Sequence, residues 1–144
     1  MPKSTATCNS IVNLMYRATA WSNVADNAAA SPLTNTYVSL HTATLSAGTN
    51  SQTENETAYT DYARQAVARS TGWNAASGGA TANAATISFP QCGASGATLT
   101  YVATGTASSS TGTVWHYGAL NSSLAVSSGI TPQFAAGALT VTES

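Results

Sequence analysis

The sequence predicts an all-β protein: an antiparallel β-sandwich, jelly-roll-like, of about eight strands with one short N-terminal helix. Short runs of alternating apolar and polar residues recur along the chain with Gly, Pro and Ser turns between them, the pattern of sandwiches and barrels. Ala, Thr, Ser and Gly supply 81 of the 144 residues, a composition that suits small-residue strands and turns better than long helices. The length is that of one domain. It divides into residues 1–35, an arm with a short helix and a connection, and residues 36–144, the sandwich.

Residues 1–9 read as a polar arm. Ser10 is placed to cap a helix whose apolar positions Ile11, Leu14, Met15 and Ala18 recur at i, i+3, i+4 and i+7, with Trp21 one turn further. Residues 22–35, rich in Ala and Asn and containing Pro32, read as a connection. The first strand spans 36–43: Val38 and Leu40 face a core, and Tyr37, Ser39 and His41 face water. Residues 45–60 are expected to form a surface excursion, since structureless loops beyond about 12 to 15 residues are usually functional or mobile. Residues 62–69 fit helix or strand, and the following Ser-Thr-Gly turn favours strand. After Gly78-Gly79, residues 84–89 place Ala85, Ile87 and Phe89 on one face and stop at Pro90. Further strands are expected at 98–103, 113–118, 120–126 and 138–142. No fixed-period repeat is visible, which disfavours solenoids and propellers.

Charged residues make up 6% of the chain, against about 25% in an ordinary soluble domain, so hydroxyls face solvent instead. A net charge of −1 with only Lys3, Arg17, Arg64 and Arg69 as basic residues cannot supply the continuous positive surface that phosphate backbones require. Direct nucleic-acid binding is not expected. So little charge gives a free monomer little self-repulsion, which suits an assembled state. No stretch approaches the ~20 apolar residues of a membrane span. The polar N-terminus lacks a signal peptide's apolar region, so assembly in a host cytoplasm is expected. Cys8 and Cys92 read as free thiols, the alternative being one disulfide.

No constellation for chemistry stands out, and neither an enzyme nor a cofactor is expected. His41 and His116 lack acidic or cysteine residues at ligand spacing and read as exposed strand histidines. No G-x-S-x-G elbow is present, and neither histidine has a nearby acid to hold its tautomer. The acids Asp26, Glu54, Glu56, Asp61 and Glu143 include two on the expected excursion, a poor basis for a rigid glycosidase pair. Gly78-Gly79 lacks the lysine of a phosphate loop. Trp115 and Tyr117 share one strand face, packing into a core or anchoring an interface. With Tyr59, Tyr62 and Arg64 they form the candidate interface set. Arg64 and Arg69, five positions apart, would face opposite ways on a strand, each a rim contact at most.

Several passages resemble a family of small virion proteins of tailed bacteriophages: VSLHTA at 38–43, YTDYAR at 59–64 with VARSTGW running to Trp73, ISFP at 87–90, and ITPQFAAGALTVTE at 130–143. The likeness covers roughly residues 36–143; Cys8 through Trp21 and the loop at 44–51 depart from it. Members are often labelled tail-fibre-like, and some resemble capsid cement or decoration proteins with a jelly-roll-type fold. The resemblance implies a cement protein on the outer surface of the capsid, binding the major capsid protein and associating with itself as a dimer or trimer. The alternative it implies is a tail-fibre module in which Trp115, Tyr117, Tyr59 and Tyr62 stack against host glycans. It brings no catalytic residues.

Overall fold

A computed structural model describes residues 3–25, 32–46, 48 and 51–144. Helix α1 (Thr5–Arg17) begins earlier than the apolar spacing predicts, because Ser4 and not Ser10 is its cap. Ser4 is extended and its Oγ accepts the Thr7 N–H at 3.2 Å, satisfying one of the helix's orphan donors. Most of the expected arm is therefore helical. The buried stripe is Cys8, Val12 and Tyr16, spaced i, i+4, i+8, and not the Ile11–Leu14–Met15 face. A thiol and a phenol carry much of that stripe, which an aliphatic count misses. Ala18, with φ 53°, turns the chain out of the helix.

Eight strands follow: β1 (Asn35–His41), β2 (Gln65–Ala68), β3 (Ala80–Ala82), β4 (Ile87–Ser88), β5 (Ala97–Gly105), β6 (Val114–Val126), β7 (Gln133–Phe134) and β8 (Thr140–Thr142). They group as a four-stranded sheet in the order β2-β1-β5-β6 and two two-stranded sheets, β3-β8 and β4-β7. The β1/β5, β5/β6 and β3/β8 pairs are antiparallel. The all-β expectation with one short helix therefore holds. Strands 36–43, 98–103 and 138–142 are present with shifted ends, and the ambiguous 62–69 run contributes β2.

The run at 84–89 departs most: only Ile87 and Ser88 form a strand, and Ala85 is exposed. Asn83 explains this. Fully buried, it donates through Nδ2 to the Ala85 and Ala135 carbonyls at 2.8 Å each and accepts the Leu139 N–H at 2.8 Å. One side chain thus satisfies backbone groups that a longer ladder would have paired.

The expected strands 113–118 and 120–126 form one element, β6, whose register against β5 slips twice. Thr104 pairs with His116 but Gly105 with Val114, so Trp115 is an extra residue. Tyr101 pairs with Ala119 but Leu99 with Leu124, so residues 120–123 stand opposite Thr100 alone. The two expected strands are the two paired stretches, joined by a four-residue excursion in place of a turn.

The chain forms two compact units, one of residues 1–35, 67–87 and 134–144, the other of residues 36–66 and 88–133. In the first, Trp73 is fully buried with its ring edge-on to Tyr16 at 4.8 Å. Polar positions of α1 hold the backbone around it. Asn13 Oδ1 accepts the Ala76 N–H at 2.9 Å, Asn9 Oδ1 accepts the Gly79 N–H at 2.6 Å, and Arg17 donates to the Trp73 carbonyl at 2.8 Å. Gly79 has φ +81°, and a Cβ there would lie 2.8 Å from the Glu143 carbonyl oxygen and 3.2 Å from Cys8 Cβ; only glycine fits.

Arg69, expected at a rim, is 7% exposed. It donates to the Leu14 and Met15 carbonyls at 2.5 Å each and to the Leu33 carbonyl at 2.7 Å. Cationic donors on the last carbonyls of α1 are favourable both as hydrogen bonds and towards the helix dipole. In the second unit the core is built on Val38, Leu40, Tyr59, Phe89, Leu99 and Val102. Cys8 and Cys92 are both buried free thiols.

Candidate functional site: a buried polar cluster and an exposed sheet edge

The groups most capable of chemistry gather at the end of β1. Ser39 and His41, expected on a wet face, are both fully buried. The cover is the segment expected to be a surface excursion: Gln52 is fully buried, Thr57 is 3% exposed and Tyr59 2% exposed. Glu56 Oε1 and Oε2 accept from Arg64 Nε and Nη2 at 2.7 Å each, a two-pronged pair, and Oε1 also accepts the Tyr62 hydroxyl at 2.9 Å. Arg64 Nη1 donates to the Ala107 carbonyl at 2.9 Å, and Nη2 also donates to the Ser110 carbonyl at 2.7 Å. Tyr62 Oη in turn accepts the Leu40 N–H at 3.1 Å. Burial pushes the Tyr62 hydroxyl far above its ordinary range, so it acts as a fixed neutral donor.

His41 Nε2 lies 2.9 Å from Ser39 Oγ, within the reach of a base and a nucleophile. Both side chains are sealed from solvent, and Nδ1 meets the Glu54 carbonyl oxygen at 2.8 Å in place of a carboxylate. The acids are committed as well: Glu56 to Arg64, and Glu54 Oε1 to the Ser46 N–H at 3.0 Å. Among the described residues no group of three or more His, Cys, Asp or Glu could hold a metal ion.

The structure thus divides the five candidate interface residues. Arg64 is 8% exposed and Tyr59 2%. Tyr59 donates to the Pro90 carbonyl at 2.9 Å, and burial pushes its hydroxyl up to about 12. Tyr62 is half-buried, edge-on to Tyr59 at 5.3 Å and stacked on Phe89 at 6.3 Å. These three hold the interior. Trp115 and Tyr117 lie elsewhere, on β6, the outer strand of the four-stranded sheet.

β6 carries no charged residue and no proline. Tyr117 is 41% and Leu124 38% exposed, and residues 121–125 are exposed in succession. Opposed residues of an antiparallel pair share a face, so the pairings Tyr117 with Ala103 and Tyr101 with Ala119 put Tyr117 and Tyr101 on one face, with alanines between them. Trp115 and Tyr117 were legible in the sequence as neighbours on one strand, whereas Tyr101 joins Tyr117 only through the pairing register.

The molecule is a mainly antiparallel β-protein of low charge, with Ser39, His41 and Arg64 buried and β6 standing at the edge of its four-stranded sheet. A family model described as podophage GP4 fiber I protein gp80 matches residues 2–142, and the chain belongs to this Gp80 family. It is a structural protein of the bacteriophage virion. No curated protein matches it.

Proposed function

We propose that the chain is a fibre subunit of a podophage virion that acts by contact and not by catalysis. Its membership of a family described as a fibre protein carries this reading. The geometry supports it from the other side: Ser39 and His41 are bonded to each other in the interior, Glu56 is held by Arg64, and an uncharged sheet edge is left for contact. All four basic residues are engaged within the chain. Lys3 pairs with Glu143 at 3.1 Å, Arg64 with Glu56 at 2.7 Å, and Arg17 and Arg69 bond to backbone carbonyls. That supports a protein partner over nucleic acid, and association into dimers or trimers through neutral surfaces.

The cement reading, with the major capsid protein as partner on the outer capsid surface, rests on the resemblance to decoration proteins. Reconstruction of the virion separates the two. Density for this chain in appendages projecting from the particle is expected. Density lying over the shell in copy number comparable with the major capsid protein would replace the fibre reading with the cement one. Host-glycan contact through Trp115 and Tyr117 would appear as lost adsorption when both become alanine in particles that still carry the protein.

A further inference from the structure

His41 ends β1 with no exposed surface, and its ring is gripped at both nitrogens. A carbonyl oxygen only accepts, so Nδ1, 2.8 Å from the Glu54 carbonyl oxygen, carries the proton, and Nε2 accepts from Ser39 Oγ at 2.9 Å. In the neutral ring this fixes the tautomer, and burial disfavours the charged form. The ring's bond to Glu54 is one of the ties between β1 and residues 51–57. Further ties at this end of the strand are Thr42 N–H to the Asn55 carbonyl at 2.9 Å, just past β1, Thr57 N–H to the Leu40 carbonyl at 2.9 Å, Gln52 Nε2 to the Tyr37 carbonyl at 3.2 Å, and the bridge between His41 and Glu56.

The ionisable groups around the ring come from every side. Glu54 and Glu56 belong to the covering segment, Arg64 and Tyr62 precede β2, and Tyr101 is the ladder partner on β5. Arg64 and Tyr62 already occupy the Glu56 carboxylate, and Ser46 engages that of Glu54. A second proton on His41 would put a cation in a site closed to bulk solvent. It would also force the Ser39 hydroxyl to turn its proton away from the ring.

We propose that His41 is an acid-operated latch: neutral, it holds residues 51–57 on the end of β1, and protonated, it releases them while the β1-β5 ladder stays paired. Burial holds the histidine below its ordinary 6.5, and Arg64 adds to this, while the Glu54 carbonyl and the Glu54 and Glu56 carboxylates oppose it. Opening would expose the ring and restore its ordinary value, so the opened segment binds more protons than the closed one. The closed form is at full strength above about pH 6.5 and weakens as pH falls from there towards the lower value of the buried ring.

Hydrogen exchange of the full chain between pH 7.5 and 5, corrected for intrinsic rates, tests this. The reporters are the amides of Thr42, bonded to the Asn55 carbonyl, Gln52, bonded to the Thr111 carbonyl, and Thr57, bonded to the Leu40 carbonyl. Their protection should fall below pH 6.5 by up to about tenfold per pH unit, the linkage of one proton, while β5 amides keep theirs. In His41→Gln, which retains a neutral amide donor, the pH slope at those amides should vanish. Flat protection across the range in the unaltered protein, or loss at β5 in step with the segment, overturns the latch whether or not the variant folds.

Discussion

Arg64 shows how far a side chain's role can lie from its sequence neighbourhood. By composition it is a rare charge beside a turn; in the fold it joins Glu56 to the carbonyls of Ala107 and Ser110. Its partners stand eight and more than forty positions away, and no local pattern announces them. His41, Tyr59 and Arg69 turn inward for the same reason: their partners come from other segments. Arg64→Leu strands a largely buried carboxylate, a loss expected at about 3–5 kcal/mol. Arg64→Leu with Glu56→Leu should cost less than the sum of the two single changes, read from urea midpoints; strict additivity would contradict the coupling. The glycines offer a second contrast. A Cβ at Gly105 would collide with the Gln52 carboxamide, whereas Gly118 has open space around it. Gly105→Ala should lose about 1–3 kcal/mol by overpacking, and Gly118→Ala should stay within about 0.5 kcal/mol.

Periodicity located α1 and placed strands near 36–43, 98–103 and 138–142, because each carries its alternation over enough residues to be read locally. One strand of each short pair escaped it. β3 and β7 have three and two residues, too few for a period, and they exist because β8 and β4 lie beside them. The helix start escaped for a different reason: Thr5 and Thr7 are weak helix formers, and the Ser4 hydroxyl decides the matter by taking the Thr7 N–H. Ser4→Ala should therefore destabilise the protein by about 1 kcal/mol, while Ser10→Ala, inside the helix, should be nearly neutral. Thermal unfolding of both variants distinguishes the true cap from the expected one. In β6 the alternation was legible on both sides of residue 119, and the register slip between them was not, because it depends on β5.

Across the molecule, scarcity of charge is the property that sequence and structure describe alike. The net charge is −1, and the few charged groups described are largely committed to internal partners, so contact with other subunits meets little electrostatic opposition. What the sequence left hidden was which surface remains outside: of the five expected contact residues, only Trp115 and Tyr117 stand on the free edge. Tyr117→Lys with Leu124→Lys should leave folding stability within about 1 kcal/mol, since both sites are exposed, yet reduce incorporation into particles, measured by quantitative blotting of purified virions. Full incorporation would place the contact surface away from β6.

The excursion at residues 120–123 has a further consequence. Its two ends are pinned by the Tyr101–Ala119 and Leu99–Leu124 pairs, so the residues between them carry no ladder duty. Chain length there is free to drift: doubling a flexible loop adds only about 0.6 kcal/mol of closure entropy. A Gly-Ser tetrapeptide inserted after Asn121 should cost about that much in thermal stability, which makes this bend the natural point for grafting foreign peptides onto the subunit's outer edge.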